Sequence, residues 1–239
     1  MVSRADMRNW VFFDCFDTLV TVDGLSEHQD YSFLMEKAPV EAGLYDCAEQ
    51  FRHAYRSWRR RRGTHEPERE VSLAERLRVL FRERADACGI DLDDAVARTV
   101  ACFCEQYGDR TAPTAGVERM LRHWRGRAHL GVVSNHFIAG VPRRVLEKLG
   151  LAHYFDFVLD SAEFGIRKPG HAIYREGLRR AGVPGPSVGD CVFVGDNFEL
   201  DVRVPVALGM QAVHYAPTAG EYSSTGERIR VVRHWDEFR

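Results

Sequence analysis

Long apolar runs are absent from this 239-residue chain, and none approaches the roughly 20 residues that a membrane-spanning helix needs. The first residues, Met1-Val2-Ser3-Arg4-Ala5-Asp6, carry no signal-peptide core. Neither leader nor anchor is expected, and the protein is expected in the cytoplasm. A surplus of charge is missing too. Lysine and arginine number 33 against 35 aspartates and glutamates, for a net charge of -2, so neither nucleic acid nor a membrane surface is an expected partner. Cysteine is present but unpatterned: Cys15, Cys47, Cys88, Cys102, Cys104 and Cys191 form no CxxC pair and match no histidine spacing. That argues against a zinc site or a disulfide framework. Cys102 and Cys104, two apart on an expected helix, would face away from each other and read as core and boundary residues. Cys15 reads as a packed thiol at a strand end. No internal repeat is visible. A composition 45% hydrophobic and 28% charged is that of an ordinary globular chain, long enough for a substantial core with a smaller partner unit.

The chain is organised around Trp10-Val11-Phe12-Phe13-Asp14-Cys15-Phe16-Asp17-Thr18-Leu19-Val20. Trp10 to Phe13 are bulky and do not alternate with polar residues, which predicts a short strand buried on both faces. The run stops on a carboxylate. In an open α/β sheet ligands sit outside the carboxyl ends of strands, which would put Asp14 at the mouth of a site; a turn cap is the ordinary alternative for a lone aspartate. Further along, Leu130–Val133, Phe155–Leu159, Cys191–Val194, Gln211–Tyr215 and Ile229–Val232 read as strands, the last at an edge. Helical stripes separate them, including one over Glu199–Leu208, and Trp235–Phe238 reads as a final helical turn. This alternation predicts an α/β fold with a doubly wound parallel sheet. Residues 218–226 read as a surface loop.

Residues 22–111 have a different period. Phe51, Tyr55 and Trp58, then Leu73, Leu77, Leu80 and Phe81, then Val96, Val100, Phe103 and Tyr107 fall at helical spacing. Ser72-x-x-Glu75 is a capping-box signature, and Asp91, Asp93 and Asp94 place negative charge at a helix start. The expected organisation is therefore a core of residues 1–21 and 112–239 with an all-helical insert of 22–111. The run Arg59-Arg60-Arg61-Arg62 cannot face one ligand from a helix, and reads as a solvated helix end stopped by Gly63.

Four fragments in order, Asp14-x-x-x-Thr18-Leu19, Val132-Val133-Ser134-Asn135, Lys168-Pro169 and Gly195-Asp196-Asn197-Phe198-Glu199-Leu200-Asp201, resemble the motifs of the haloacid dehalogenase-like hydrolase superfamily. The resemblance implies a Rossmann-like catalytic core, a helical cap that closes on the substrate, and hydrolysis through a covalent aspartyl intermediate. By the same resemblance Asp14 is the nucleophile and Lys168 neutralises charge. Thr18, Ser134 and Asn135 bind phosphoryl oxygens. Asp14, Asp196, Asp201 and the backbone carbonyl of Phe16 hold Mg2+. The expected partner is a small phosphorylated metabolite, with no nucleic acid or membrane, and no oligomeric state follows from the pattern. One position departs from the family: Phe16 stands where its phosphatases carry an acid/base aspartate. Asp17 is the candidate replacement, or else occupies a glycine position and makes a turn. An aromatic residue at 16, Ser134-Asn135 and Tyr174 also resemble the metal-independent 2-haloacid dehalogenases, where a halide leaves without a proton. Three readings therefore stand, in order: Mg2+-dependent phosphatase, dehalogenase, and non-catalytic binder of a phosphorylated ligand. His136, His171 and His214 match no motif position and read as structural or surface residues.

Overall fold

The computed structural model describes residues 9–23, 31–62, 67–218 and 226–239. The N-terminal hexapeptide, the helix stop expected at Gly63 and most of the loop expected at 218–226 lie outside the described residues. The described residues fall into two units, one ending at Thr21 and resuming at Ala112, the other running Val22–Thr111.

The second unit is helical. A 3-10 turn over Tyr31–Leu34 precedes α1 (Lys37–Glu41), α2 (Ala48–Arg62), α3 (Leu73–Cys88) and α4 (Leu92–Gly108). The apolar stripes bury as their spacing predicts: Phe51, Tyr55, Leu73, Leu77, Phe81 and Phe103 are all inside. Helix α3 opens with the full capping box, the Ser72 hydroxyl accepting from Glu75 N–H and the Glu75 carboxylate from Ser72 N–H. Helix α4 is capped by Asp91, whose carboxylate accepts from Asp94 N–H. Arg76 is drawn inward, its guanidinium donating to Val71 O, Tyr55 Oη and Glu70. The arginine run stays at the surface, as expected of a solvated helix end: Arg59, Arg60 and Arg61 are exposed.

The first unit holds a six-stranded sheet. Its strands are β1 (Trp10–Phe13), β4 (His129–Ser134), β5 (Phe157–Asp160), β6 (Val192–Gly195), β7 (Gln211–Tyr215) and β8 (Ile229–Val232), in the order β5-β4-β1-β6-β7-β8 and parallel throughout. Between them run α5 (Val117–Trp124), α6 (Val141–Lys148), α7 (Ser161–Phe164), α8 (His171–Arg180) and α9 (Val204–Ala207). Strand β1 is central, and both its faces are covered, as its unbroken apolar run requires. Phe12 packs toward Phe157 and Phe193, while Phe13 meets Phe155, Trp235 and Phe238 on the other face. Gly131 makes room for this packing: a Cβ there would sit 2.8 Å from the Phe157 ring.

Two elements differ from the sequence expectation. Where the chain passes between the units, β2 (Val20–Val22) and β3 (Thr111–Pro113) pair as a two-stranded ribbon, three residues each and too short to show a period. The helix expected over Glu199–Leu208 is instead a π-helical turn, Phe198–Arg203, followed by α9. Pro205 has no N–H to give the carbonyl of Asp201, so a regular α ladder cannot run through.

Trp235 plugs the core beneath β1. It is 1% exposed, lies flat on Tyr215 with centroids 4.2 Å apart, and donates Nε1–H to Thr114 Oγ1 at 2.9 Å. Trp235→Ala is expected to destabilise the protein by about 3–5 kcal/mol in urea unfolding. A loss below about 1 kcal/mol would show that the C-terminal segment is dispensable to the core.

Candidate active site

The carboxyl ends of β4, β1 and β6 lie side by side where the strand order reverses: β4 and β5 run outward from β1 on one side, β6 to β8 on the other. Such a reversal opens a crevice at the strand ends. Asp14 leaves β1, Ser134 ends β4, and Asp196 follows β6. Lys168 comes from the connection between α7 and α8, and Asp201 from the π-helical turn.

Lys168 is the hub. Only 2% of it is exposed, and its ammonium donates to Asp14 Oδ1 at 2.8 Å and to Asp201 Oδ1 at 2.7 Å. It also lies 5.4 Å from the centre of the Phe193 ring. Burial alone would favour the neutral amine, but the two carboxylates outweigh it and raise the Lys168 pKa, so the cation persists. For Asp201, burial pushes the carboxyl up, Lys168 pulls it back and Asp14 adds to the rise, leaving it at about 7. Burial, with Asp14 adding to it, also pushes the neighbouring Cys15 thiol well up, so Cys15 is a packed neutral thiol.

Asp14, Asp196 and Asp201 each present a carboxylate oxygen within 4.8 Å of the others, a group that could hold a metal ion. The Lys168 ammonium bridges two of these carboxylates, Asp14 and Asp201, and the third, Asp196, lies close beside them. Burial first, and the like charge of Asp14 after it, disfavour ionisation of Asp201. A divalent cation would offset like charges gathered so closely, and an all-oxygen donor set suits Mg2+. Cys102 and Cys104 take no part in this cluster; the Cys102 thiol points to Leu34 O.

Ser134 is 1% exposed, and its hydroxyl oxygen has no hydrogen-bond partner among the described residues, an orphan that a ligand oxygen would satisfy. Thr18 and Asn135, expected on phosphoryl oxygens, have other partners. The buried Thr18 hydroxyl donates to Asp196 Oδ1 and accepts from the Asp196 amide, both at 3.0 Å; a hydroxyl has one proton to give. Asn135 grips the backbone of Lys168 at both ends, donating to its carbonyl at 2.9 Å and accepting from its amide at 2.7 Å. Both residues therefore position the charged cluster.

Phe16 is half-buried, with its ring 5.3 Å from the imidazole of His136. Asp17 adopts the left-handed conformation at φ +58°, and its amide donates to Val20 O at 2.7 Å. Its backbone thus makes the turn a glycine would make.

Further supports had weaker signals in the sequence. A Cβ on Gly195 would lie 2.3 Å from Asp201 Cγ, so only glycine lets that carboxylate lie against the end of β6. Tyr174 donates its hydroxyl to Leu200 O at 2.5 Å, and burial raises its pKa, keeping it a neutral donor. Ser161 brackets the backbone of His136, accepting from its amide at 3.0 Å and donating to its carbonyl at 3.2 Å. A glycine beside Asp196 was a cue for the first; nothing local marks Ser161.

A haloacid dehalogenase-like hydrolase family model matches residues 9–209. The chain belongs to that family. Among curated relatives, the pyrimidine 5'-nucleotidase YjjG of Escherichia coli strain K12 is 27% identical over 205 residues, covering 84% of this chain and 83% of that protein. A phosphoserine phosphatase of Thermus thermophilus is 35% identical over 137 residues, covering 56% of this chain and about half, 52%, of the relative. The fold is shared with a 2-haloacid dehalogenase from Pseudomonas syringae pv. Tomato DC3000, at TM-score 0.69, 24% identity and 97% and 96% coverage of the two chains. A HAD phosphatase from Thermococcus onnurineus follows at TM-score 0.64 and 21% identity, with the same coverage. No helix among the described residues is long and apolar enough to cross a membrane.

Gly195→Ala is expected to push Asp201 off Lys168 and cost about 3 kcal/mol or more, because it uncouples a buried ion pair. Gly185→Ala, with nothing within 4 Å of the added methyl, is the control and should stay within about 0.5 kcal/mol of wild type in urea unfolding. Equal effects of the two would remove the steric reading of Gly195.

Proposed function

We propose that the protein is a Mg2+-dependent phosphomonoesterase that hydrolyses a small phosphorylated metabolite through an aspartyl-phosphate on Asp14. The observation that supports this most is the convergence of Asp14, Asp196 and Asp201, with carboxylate oxygens within 4.8 Å of one another, beside the buried Lys168 ammonium. Asp14, Asp196, Asp201 and the Phe16 carbonyl would hold the ion, which when bound supplies charge neutralisation to the phosphoryl oxygens.

In this reading Asp14 Oδ1 keeps its bond to Lys168, leaving Oδ2 to attack phosphorus and release the alcohol. The Lys168 ammonium and the Ser134 hydroxyl stabilise the charge gathered on the phosphoryl oxygens. Water then cleaves the acyl phosphate, returning Asp14 and inorganic phosphate. Asp17 is the acid that protonates the leaving oxygen and the base for that water, in place of the aromatic residue at 16. The names of the relatives make nucleoside 5'-monophosphates and phosphoserine the first esters to screen.

A 2-haloacid dehalogenase reading draws support from Phe16 and Tyr174, since expelling a halide needs no acid. It leaves the carboxylate cluster uncompensated, and the Tyr174 hydroxyl is already engaged with Leu200 O. It ranks second for that reason.

Aryl phosphate hydrolysis should require Mg2+, stop on adding EDTA, and fall to background in Asp14→Asn. Turnover that survives EDTA would overturn the proposal, and chloride release from a 2-chloro acid without metal would install the dehalogenase reading. For Asp17, asparagine tolerates the left-handed turn, so Asp17→Asn removes the acid and keeps the backbone. Alkyl phosphates should slow by about 100-fold or more while activated aryl phosphates change little. Equal losses on both would assign Asp17 to the turn alone.

A further inference from the structure

His214 lies on β7, opposite Gly195 in the register with β6, and is 7% exposed. Its Nε2 is 2.8 Å from the backbone carbonyl oxygen of Asp196. A carbonyl only accepts, so Nε2 carries the proton and the imidazole is the donor. The other end of the same peptide unit is also held: Asn197 N–H donates to Asp201 Oδ2 at 3.1 Å. A peptide unit is a rigid plane. Its tilt therefore sets two things together, the direction in which Asp196 leaves the backbone and the support under the Asp201 carboxylate.

Thr18 holds the other side of Asp196, at its amide and at Oδ1. Without His214 the 196–197 plane would lose the grip on its carbonyl end and could tilt, carrying Asp196 with it. The ring of Phe198 meets the imidazole edge-on at 5.6 Å, limiting its rotation from the side of the π-helical turn.

We propose that His214 is a positioning residue for the metal site: by fixing the 196–197 peptide it presets the Asp196 and Asp201 carboxylates for a divalent cation. This rests on the reading of that cluster as a Mg2+ site, and it gives a role to a histidine that no motif of the chain includes. Partners that orient a ligand in this way typically change metal affinity by about 10–100-fold when removed.

Glutamine and methionine have the same length and torsions but differ in a terminal N–H, so His214→Gln and His214→Met isolate the hydrogen bond from the packing. The measurement is Mg2+ affinity of the full chain, from the rise in melting temperature on Mg2+ titration and from calorimetry, alongside the melting temperature in EDTA. His214→Met should weaken Mg2+ binding by about 10-fold or more and His214→Gln by no more than about 3-fold. In the aryl phosphatase assay, His214→Met should raise the Mg2+ concentration needed for half-maximal rate while kcat recovers at saturating Mg2+. Wild-type affinity in His214→Met overturns the inference, as does equal weakening in both variants, which would locate the effect in packing. A wild type that does not respond to Mg2+ overturns the metal site of the proposed function itself, an outcome distinct from either of these.

Discussion

The buried ammonium of Lys168, between Asp14 and Asp201, is the interaction on which the rest of the site depends. Burying a charge is costly unless it is paired and hydrogen-bonded, and much of the surrounding structure serves that requirement. Asn135 fixes the Lys168 backbone, Gly195 clears space for Asp201, Tyr174 anchors the carbonyl before Asp201, and Phe193 offers its ring to the cation. Asp196 joins the two paired carboxylates within 4.8 Å, an all-oxygen group that could hold a divalent cation.

The sheet explains why residues from four distant stretches meet. Parallel strands bring their carboxyl ends to one edge, and the reversal of order around β1 leaves room there. Contacts then run from the far end of the chain to the cluster: Trp235 donates to Thr114, Thr114 to the carbonyl of Thr18, and the Thr18 side chain to Asp196. Small polar side chains in this region hold backbone or carboxylate, and the buried Ser134 hydroxyl is the exception, with no partner among the described residues.

Residues 16 and 17 are where the chain departs from the phosphatases of its family. An aromatic ring occupies the acid/base position, packed toward His136, while an aspartate takes a backbone conformation that glycine adopts without strain. A backbone outlier kept beside candidate site residues such as Asp14 motivates a functional reading. It is also the point on which the choice between ester hydrolysis and halide displacement turns, because only the former needs a proton for its leaving group.

Much of this was legible in the sequence, and the boundary of legibility is physical. Apolar runs and helical stripes marked the parallel sheet, because strand burial and helix amphipathicity repeat over many neighbouring residues. The resemblance to the family's motifs marked Asp14, Lys168, Asp196 and Asp201, of which Asp14 and Asp196 follow strands directly. The β2–β3 ribbon was invisible, being three residues on each side, and Pro205 interrupted a helix whose stripe looked continuous. The sequence alone determined which residue types would stand at the edge of the sheet. Only the tertiary structure decided their contacts: that Thr18 meets Asp196, Asn135 the backbone of Lys168, and His214 the Asp196 peptide. Those contacts depend on which single partner lies within hydrogen-bond reach across the fold, and no local period of the sequence encodes that distance.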